Sequence, residues 1–248
     1  MNKIFSFIIA VMLLIPATSK AQTEFSLGAD FVSSYMWRGV ATAGASVQPA
    51  LDLTAGGFSI GAWGSVEIGG FGYKEVDLAV SYSGGGFSIG LTDYWWDGEG
   101  AFDDLGHTGF SYFQFKEDQC SHLLEVNLGY EFESGLGFSW NTMIAGTGDK
   151  FLDDTKTKRA YSTYVEAGYS FDVKDVSLTA ALGFSPWKSN VLYTGAYPYA
   201  TDGFAVTNIS LTASKSISIT DSFSLPVFGQ LAFNPSTEDV FLIFGISF

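Results

Sequence analysis

Residues 75–96 read EVDLAVSYSGGGFSIGLTDYWW, and this stretch decides the fold class. Before the glycines, apolar and polar side chains alternate. The apolar set is Val76, Leu78, Val80 and Tyr82, and the polar set is Glu75, Asp77 and Ser81. A period of two is typical of a β-strand, and the run of glycines at 84–86 suits a tight turn. The stretch therefore predicts a β-hairpin with one apolar and one polar face.

The same alternation recurs from Phe25 to the C-terminal Phe248. We count roughly twelve such strands, each of about nine to thirteen residues, which is an even number and a length suited to tilted membrane-crossing strands. The sequence thus predicts an all-β fold, an antiparallel up-and-down transmembrane β-barrel of about twelve strands.

Charged residues test which face meets hydrocarbon. Strand carboxylates fall on the polar parity: Asp30, Asp52, Glu67, Glu75, Asp77, Glu125, Glu131 and Glu166. A charge facing lipid at the midplane costs up to about 2–4 kcal/mol, so this sorting favours a lipid-facing apolar surface. A soluble two-sheet sandwich also alternates, with its apolar stripe buried between the sheets, and it remains an alternative.

The N-terminal segment and the composition indicate the compartment. Residues 1–21 contain Lys3, an apolar run from Ile4 to Ile15 and small residues up to Ala21, as a cleaved secretory signal does, so we expect residues 22–248 to form the mature barrel. Aromatic residues make up 17% of the chain and mean hydropathy is +0.20, values typical of a membrane barrel. The net charge of −14 argues against nucleic acid as a partner, and the single Cys120 excludes an internal disulfide.

Connection lengths and aromatic residues give the orientation. Short turns lie on the side shared by both termini and most alternate connections are longer, as in outer-membrane barrels of Gram-negative bacteria. We expect an interfacial aromatic girdle that includes Tyr35, Trp37, Trp95, Tyr161 and Phe248. The alternating last strand with its terminal Phe248 predicts recognition by the barrel-assembly machinery.

Two stretches carry a family resemblance. SSYMWRGV at 33–40, followed by QPALDLTAGGFSIGAWGS at 48–65, resembles the TorF-type or Gcw_chp family of porin-like outer-membrane proteins. The matching residues are Ser33, Tyr35, Arg38, Gly39, Trp63, Gly64 and Ser65, whereas Ser34 replaces the usual acidic or amide residue. The resemblance covers about the first quarter of the chain and implies a porin-like role with no defined substrate.

The polar parity supplies the candidate site. Candidate lumen charges are Asp30, Asp52, Glu67, Glu75, Asp77, Glu125 and Glu166, with Arg38 turned toward the barrel mouth, and candidate lumen aromatics are Trp63, Tyr94, Trp96, Tyr164 and Trp187. Excess carboxylates favour cations, so we predict a passive channel for small polar solutes. The aromatic residues either fill the lumen or form a stacking track for solutes.

Three other functional interpretations stay open or are set aside. A non-conducting structural or adhesin-like barrel is the alternative, and the expected partners are outer-membrane lipids, lipopolysaccharide and small solutes. A barrel hydrolase could use His122 and Asp93, but Leu124 stands where a serine nucleophile would be needed. The acidic residues around Cys120 have irregular spacing, so we expect neither a metal nor a cofactor.

Overall fold

The structure is a computed structural model that describes residues 23–69, 74–97, 111–116, 120–150, 158–189 and 201–248. The expected signal segment, residues 1–21, lies outside the described residues. Within those ranges no helix has the length and apolar character needed to cross a membrane.

Within the described residues, fourteen β-strands make up nearly all of the regular structure. They are β1 Thr23–Val32, β2 Tyr35–Trp37, β3 Val40–Ala43, β4 Ser46–Ala55, β5 Phe58–Glu67, β6 Lys74–Gly84, β7 Phe87–Asp97, β8 Leu123–Glu131, β9 Leu136–Ala145, β10 Thr163–Val173, β11 Val176–Ser185, β12 Ala205–Thr220, β13 Phe223–Asn234 and β14 Asp239–Ser247. A 3-10 turn, Thr147–Asp149, follows β9.

Twelve of these strands close into one antiparallel barrel. Each pairs with its neighbours in chain order, from β4 through β14, and β1 joins β14 to β4. The predicted fold class, an antiparallel up-and-down barrel of about twelve strands, is confirmed. Closure joins the first and last strands of the sheet, which is how an all-β protein reduces the number of unpaired edge groups.

The two faces of the barrel differ in chemistry. The outer face carries large apolar side chains that remain well exposed, among them Leu53, Leu78, Ile89, Leu128, Leu182, Leu211 and Leu231. The inner face at the end of the short turns is lined by small residues, including Ser88, Gly129, Ser139, Gly168 and Ser170. The apolar residues thus lie outside, which is the reverse of a soluble sandwich with a buried apolar stripe.

The first connection does not stay outside the barrel. Strands β2 and β3 form a separate two-stranded hairpin, with Tyr35 opposite Ala43 and Trp37 opposite Val40. We call residues 33–45 the plug hairpin, because its side chains contact inward-facing residues of β5, β7, β8 and β10 and its backbone contacts Asn234 of β13. Contacts with strands on all sides place this hairpin within the lumen.

The seam between β1 and β14 is the shortest in the barrel. Its register pairs are Asp30–Ser247, Phe31–Ile246 and Val32–Gly245. Above them, Ser33 forms two hydrogen bonds with Phe244: its amide donates to the Phe244 carbonyl (2.8 Å), and its Oγ accepts from the Phe244 amide (2.9 Å). Residues 239–243 of β14 pair with β13 only, and Leu242 is accordingly 64% exposed.

Ser33→Ala tests the hydrogen bonding between Ser33 and Phe244 at the upper end of the β1–β14 seam. The substitution removes the acceptor of the Phe244 amide, and a net loss of about 1 kcal/mol corresponds to about fivefold faster hydrogen exchange at that amide. Native-state exchange read by NMR measures the change. Ser26→Ala, on the exposed part of β1 beyond the reach of β14, serves as the control and leaves the Phe244 amide unchanged. Equal exchange of the Phe244 amide in both variants would contradict a stabilising role of the hydrogen bond to Ser33 Oγ.

Candidate functional site

Arg38, at the tip of the plug hairpin, is the centre of the interior. Its guanidinium forms two parallel hydrogen bonds to the carboxylate of Glu125 on β8, each 2.7 Å long. The guanidinium carbon lies 4.6 Å from the centre of the Trp37 ring and 4.9 Å from that of Tyr164. The Arg38 side chain is 11% exposed and that of Glu125 is fully buried. Arg38 is thus held by charge, fork geometry and cation–π contact together.

Glu125 is also satisfied from the barrel wall. Its Oε2 accepts hydrogen bonds from the Tyr94 hydroxyl (2.9 Å) and from Asn127 Nδ2 (2.8 Å). Asn127 in turn donates to Asn141 Oδ1 on the neighbouring strand (3.0 Å). A buried carboxylate is stable only when its oxygens are paired, and this network pairs them from β7 and β8 as well as from the hairpin.

Aromatic side chains pack around the plug hairpin and fill the lumen at the end of the barrel opposite the short turns. Tyr94 and Trp96 of β7 stack in parallel, with their ring centres 5.3 Å apart, and Trp37 meets the Tyr94 ring edge-on. Tyr35 and Trp63 lie with ring centres 5.4 Å apart. The group extends to Leu123 and Met143 and forms the apolar core of the molecule.

A second polar network lies on β10 and β12, beside the first. The hydroxyl of Tyr164 donates to Glu166, and Asn208 Nδ2 donates to both the Tyr164 hydroxyl (3.3 Å) and Glu166 Oε2 (3.1 Å). Tyr164 also lies against the Arg38 guanidinium, so this network orients one of the two aromatic rings that contact Arg38.

Backbone contacts fix the hairpin at its tip and its base. At the tip, Gly39 has φ +85° and lies so close to Thr207 that a Cβ would come within 1.9 Å of the Thr207 carbonyl oxygen, which only glycine permits. The Gly39 carbonyl accepts from Asn234 Nδ2 (3.1 Å). At the base, the amide of Gly44 donates to Glu67 Oε1 (3.1 Å). The hairpin is therefore joined to β5, β12 and β13 as well as to β8.

Beneath the plug hairpin the lumen opens into two cavities. One, of about 420 Å³, is lined by the plug aromatics Tyr35 and Trp37 and by the carboxylates Asp52 and Asp77. The other, of about 530 Å³, lies toward the short turns and is lined by small residues together with Glu131 and Glu166. Among the described residues no group of three or more His, Cys, Asp or Glu side chains has the arrangement of a metal site.

His122 and Asp93 come together on the outer face. Nδ1 of His122 lies 3.1 and 3.0 Å from the two Asp93 carboxylate oxygens, and Nε2 lies 2.7 Å from the Tyr112 carbonyl oxygen. Both ring nitrogens thus face acceptors, which suits the doubly protonated ring. In this arrangement Nε2 has no free lone pair with which to act as a general base. The His122–Asp93 pair instead joins residues 111–116 to the barrel wall through the Tyr112 carbonyl.

Electrostatics around His122 favour its charged form. Burial lowers the pKa of His122, but the hydrogen bond and negative charge of Asp93 and the Tyr112 carbonyl outweigh burial, so the pKa lies above the ordinary 6.5. Because the folded-state pKa is raised, the stabilisation is complete below pH 6.5 and is lost as pH rises through the folded-state value.

Several sequence predictions of side-chain position are wrong. Tyr35 and Trp37 are not girdle residues, because the chain leaves the barrel wall at Ser33 and carries both rings into the lumen. Arg38 follows them inward instead of facing the barrel mouth. Trp187 is not a lumen aromatic, since its ring packs against Trp140 of the outer face at 5.7 Å.

Trp95 needs a smaller correction. It shares the outer face with Val76, but its ring is only 6% exposed because Tyr112 covers it edge-on. A tryptophan covered by a loop does not form part of an exposed girdle.

The remaining predicted residues are placed as follows. Tyr161 and Phe248 are exposed at 54% and 61%, and Phe248 packs edge-on against Phe31 of the outer face. Glu75 and Asp77 lie buried on the inner face opposite Trp96 and Tyr94. Asp30 lies at the β1–β14 seam, opposite Gln48 and Ser247.

Sequence reasoning missed the amides that complete the interior. Asn127, Asn141, Asn208 and Asn234 each hydrogen-bond within the lumen networks. Their signal was available, because Asn127 and Asn141 fall on the polar parity, and amides that line a wall can satisfy a buried carboxylate.

Neither a scan against protein-family models nor a search of curated proteins finds a match for this chain. The resemblance to the TorF-type or Gcw_chp family therefore stays a prediction. It is notable that its residues Tyr35, Arg38, Gly39 and Trp63 meet at the plug hairpin.

Glu125→Gln tests the buried ion pair. The change leaves the Arg38 guanidinium buried without its counter-charge, so we expect a loss of about 3–5 kcal/mol in the free energy of unfolding. Urea titration of the refolded barrel measures it. The double variant Arg38→Met, Glu125→Gln should cost less than the sum of the two single changes.

The matched control for this pair is Lys215→Met. Lys215 forms a 2.7 Å ion pair with Asp175, but both side chains are well exposed, so the unfolding midpoint should hardly move. Equal effects of Glu125→Gln and Lys215→Met would contradict a structural role of the buried pair.

His122 provides a pH test outside the strands. An NMR titration of its imidazole should give a midpoint above 6.5 in the native barrel. In Asp93→Asn the midpoint should fall, because the opposing charge is gone while burial remains. A midpoint that does not respond to Asp93→Asn would show that Asp93 does not hold the ring charged.

Proposed function

We propose that this chain is an outer-membrane channel of a Gram-negative bacterium that passes small polar solutes, with a preference for cations, and that the plug hairpin closes its outer part. The observation that carries the proposal is the closed barrel with apolar side chains on its outer face and small and acidic residues in its lumen. In hydrocarbon every backbone group needs a partner, and a closed barrel is the β-structure that provides one.

The lumen supports solute passage on the side of the short turns. Glycines and small serine side chains leave a cavity of about 530 Å³ there, and its two acidic residues are Glu131 and Glu166. A narrow path lined by one sign of charge raises the local concentration of the opposite ion. This arrangement favours cations over anions.

The proposed surroundings follow from the outer face. Its apolar side chains would contact outer-membrane lipids, and basic residues at the end opposite the termini, among them Lys74, Lys150 and Arg159, would meet lipopolysaccharide phosphates. The last strand, β14, is followed directly by the exposed Phe248, and the two would form the element that the barrel-assembly machinery recognises.

A second candidate is a non-conducting structural barrel. The observation that favours it is the density of contacts at the plug hairpin, where Glu125 is fully buried and Arg38 lies between two aromatic rings. In this candidate function the hairpin would be a permanent part of the core and would never leave the lumen.

Removal of the plug hairpin separates the two functions. Tyr35 pairs with Ala43, so replacing residues 35–43 by two glycines joins the ends of the loop without stretching the barrel. In planar bilayers we expect this variant to conduct severalfold more than the native barrel, and a salt gradient should give a reversal potential of cation-preferring sign. The native barrel should show small, rare openings.

A matched loop variant controls for the deletion. The turn between β13 and β14 lies at the same end of the barrel, and replacing residues 235–237 by three glycines should leave conductance at the native level. If neither the native barrel nor the deletion variant conducts, the structural function stands instead.

A further inference from the structure

The cavity beneath the plug hairpin has the composition of a binding site that the channel function alone does not require. Its volume is about 420 Å³, which falls within the range of small-molecule pockets. Four aromatic rings line it, in two contacting pairs: Tyr35 with Trp63, which are tilted, and Trp37 with Tyr94, which meet edge-on. Small residues complete the wall and leave the space open.

Two carboxylates face the same cavity. Asp77 is 9% exposed, and its buried Oδ1 has no hydrogen-bond partner among the described residues. Asp52 also lines the cavity, next to Gly61. A Cβ at Gly61 would come within 2.5 Å of Asp52 Oδ1, so the glycine leaves room for this carboxylate. A buried carboxylate oxygen without a donor is costly, so a donor or a positive charge in the cavity would be stabilising.

Three carboxylates lie in or beside the cavity. Asp52 and Asp77 line it, and Glu75 lies two residues before Asp77 on the same face of β6. A positively charged ligand would stabilise the ionised form of these groups. Arg38, which follows the cavity residue Trp37 in the chain, is hydrogen-bonded to Glu125 through two bonds of 2.7 Å. No basic side chain is among the described residues that line the cavity.

The geometry points to a binding site for a small organic cation, an ammonium or quaternary ammonium compound, between the Tyr35–Trp63 and Trp37–Tyr94 rings and above Asp52 and Asp77. Aromatic faces attract cations, and carboxylates neutralise them. A neutral sugar could stack on the same rings and donate hydrogen bonds to the carboxylates, but it would not balance their negative charge. The inference rests on the proposed function in that it names the class of solute the channel would select.

Choline and its neutral isostere 3,3-dimethylbutan-1-ol provide the test. The two have similar shape, and only choline is charged. Isothermal titration calorimetry of the full barrel in detergent micelles should detect saturable choline binding and should detect at least tenfold weaker binding of the alcohol. Equal affinity for the two compounds, no choline binding, or tighter binding of glucose than of choline would overturn the inference.

Variants locate the site. Asp77→Asn and Asp52→Asn should each weaken choline binding about tenfold, because each removes a charge partner, and Trp63→Leu should weaken it about threefold or more. Asp30→Asn is the matched control, since it removes an inner-face carboxylate that does not line the cavity. Native choline affinity in both cavity variants, or an equal loss in Asp30→Asn, would overturn the inference.

Two further measurements keep the outcomes distinct. The heat-dependent gel mobility of each variant shows whether its barrel is closed, and Asp52→Asn, at a half-exposed position, remains informative if Asp77→Asn does not fold. Conductance is recorded on the same preparations. A barrel that conducts but does not bind choline overturns the cation site alone, whereas one that binds choline but never conducts, with or without the hairpin, overturns the channel function.

Discussion

A guanidinium inside a protein must meet a carboxylate, and the interior of this barrel is organised around that requirement. Arg38 reaches Glu125 only because the chain turns inward after Ser33, and it is held there by two short hydrogen bonds and two aromatic faces. Glu125 in turn draws Tyr94 and Asn127 into the same network. Losing either charge would leave the other buried and unpaired, which is why the pair fixes the position of the hairpin.

The alternation of side chains predicted the barrel well because it reports a physical difference between two surfaces. Residues such as Leu78 and Asp77 are neighbours in sequence but face opposite sides of the wall, and this follows from the strand period alone. Carboxylates on the inner parity, Glu75 and Glu125 among them, therefore lie where the pattern put them. Strand number and antiparallel order followed from the turns between these segments.

The plug hairpin could not be predicted by the same means. Alternation continues through Tyr35 and Trp37, but the period says nothing about whether a strand still belongs to the wall. An aromatic side chain near a strand end suits a membrane interface and a packed core equally well, since both are apolar with a polar edge. The decisive contacts, from Arg38 to Glu125 and from Gly39 to Asn234, join residues 87 and 195 positions apart. The prediction that Trp187 faces the lumen was wrong for a related reason. Trp187 lies two residues beyond the end of β11, where the alternation of strand faces no longer applies.

The strand that closes the barrel also carries the plug. Ser33 is hydrogen-bonded to Phe244 at the upper end of the β1–β14 seam, and the inward turn begins at the next residue. A force that displaces the plug hairpin outward would therefore act first on the short β1–β14 seam, beginning at its upper end. Closure of the cylinder and occlusion of its interior are, in this molecule, mechanically a single property.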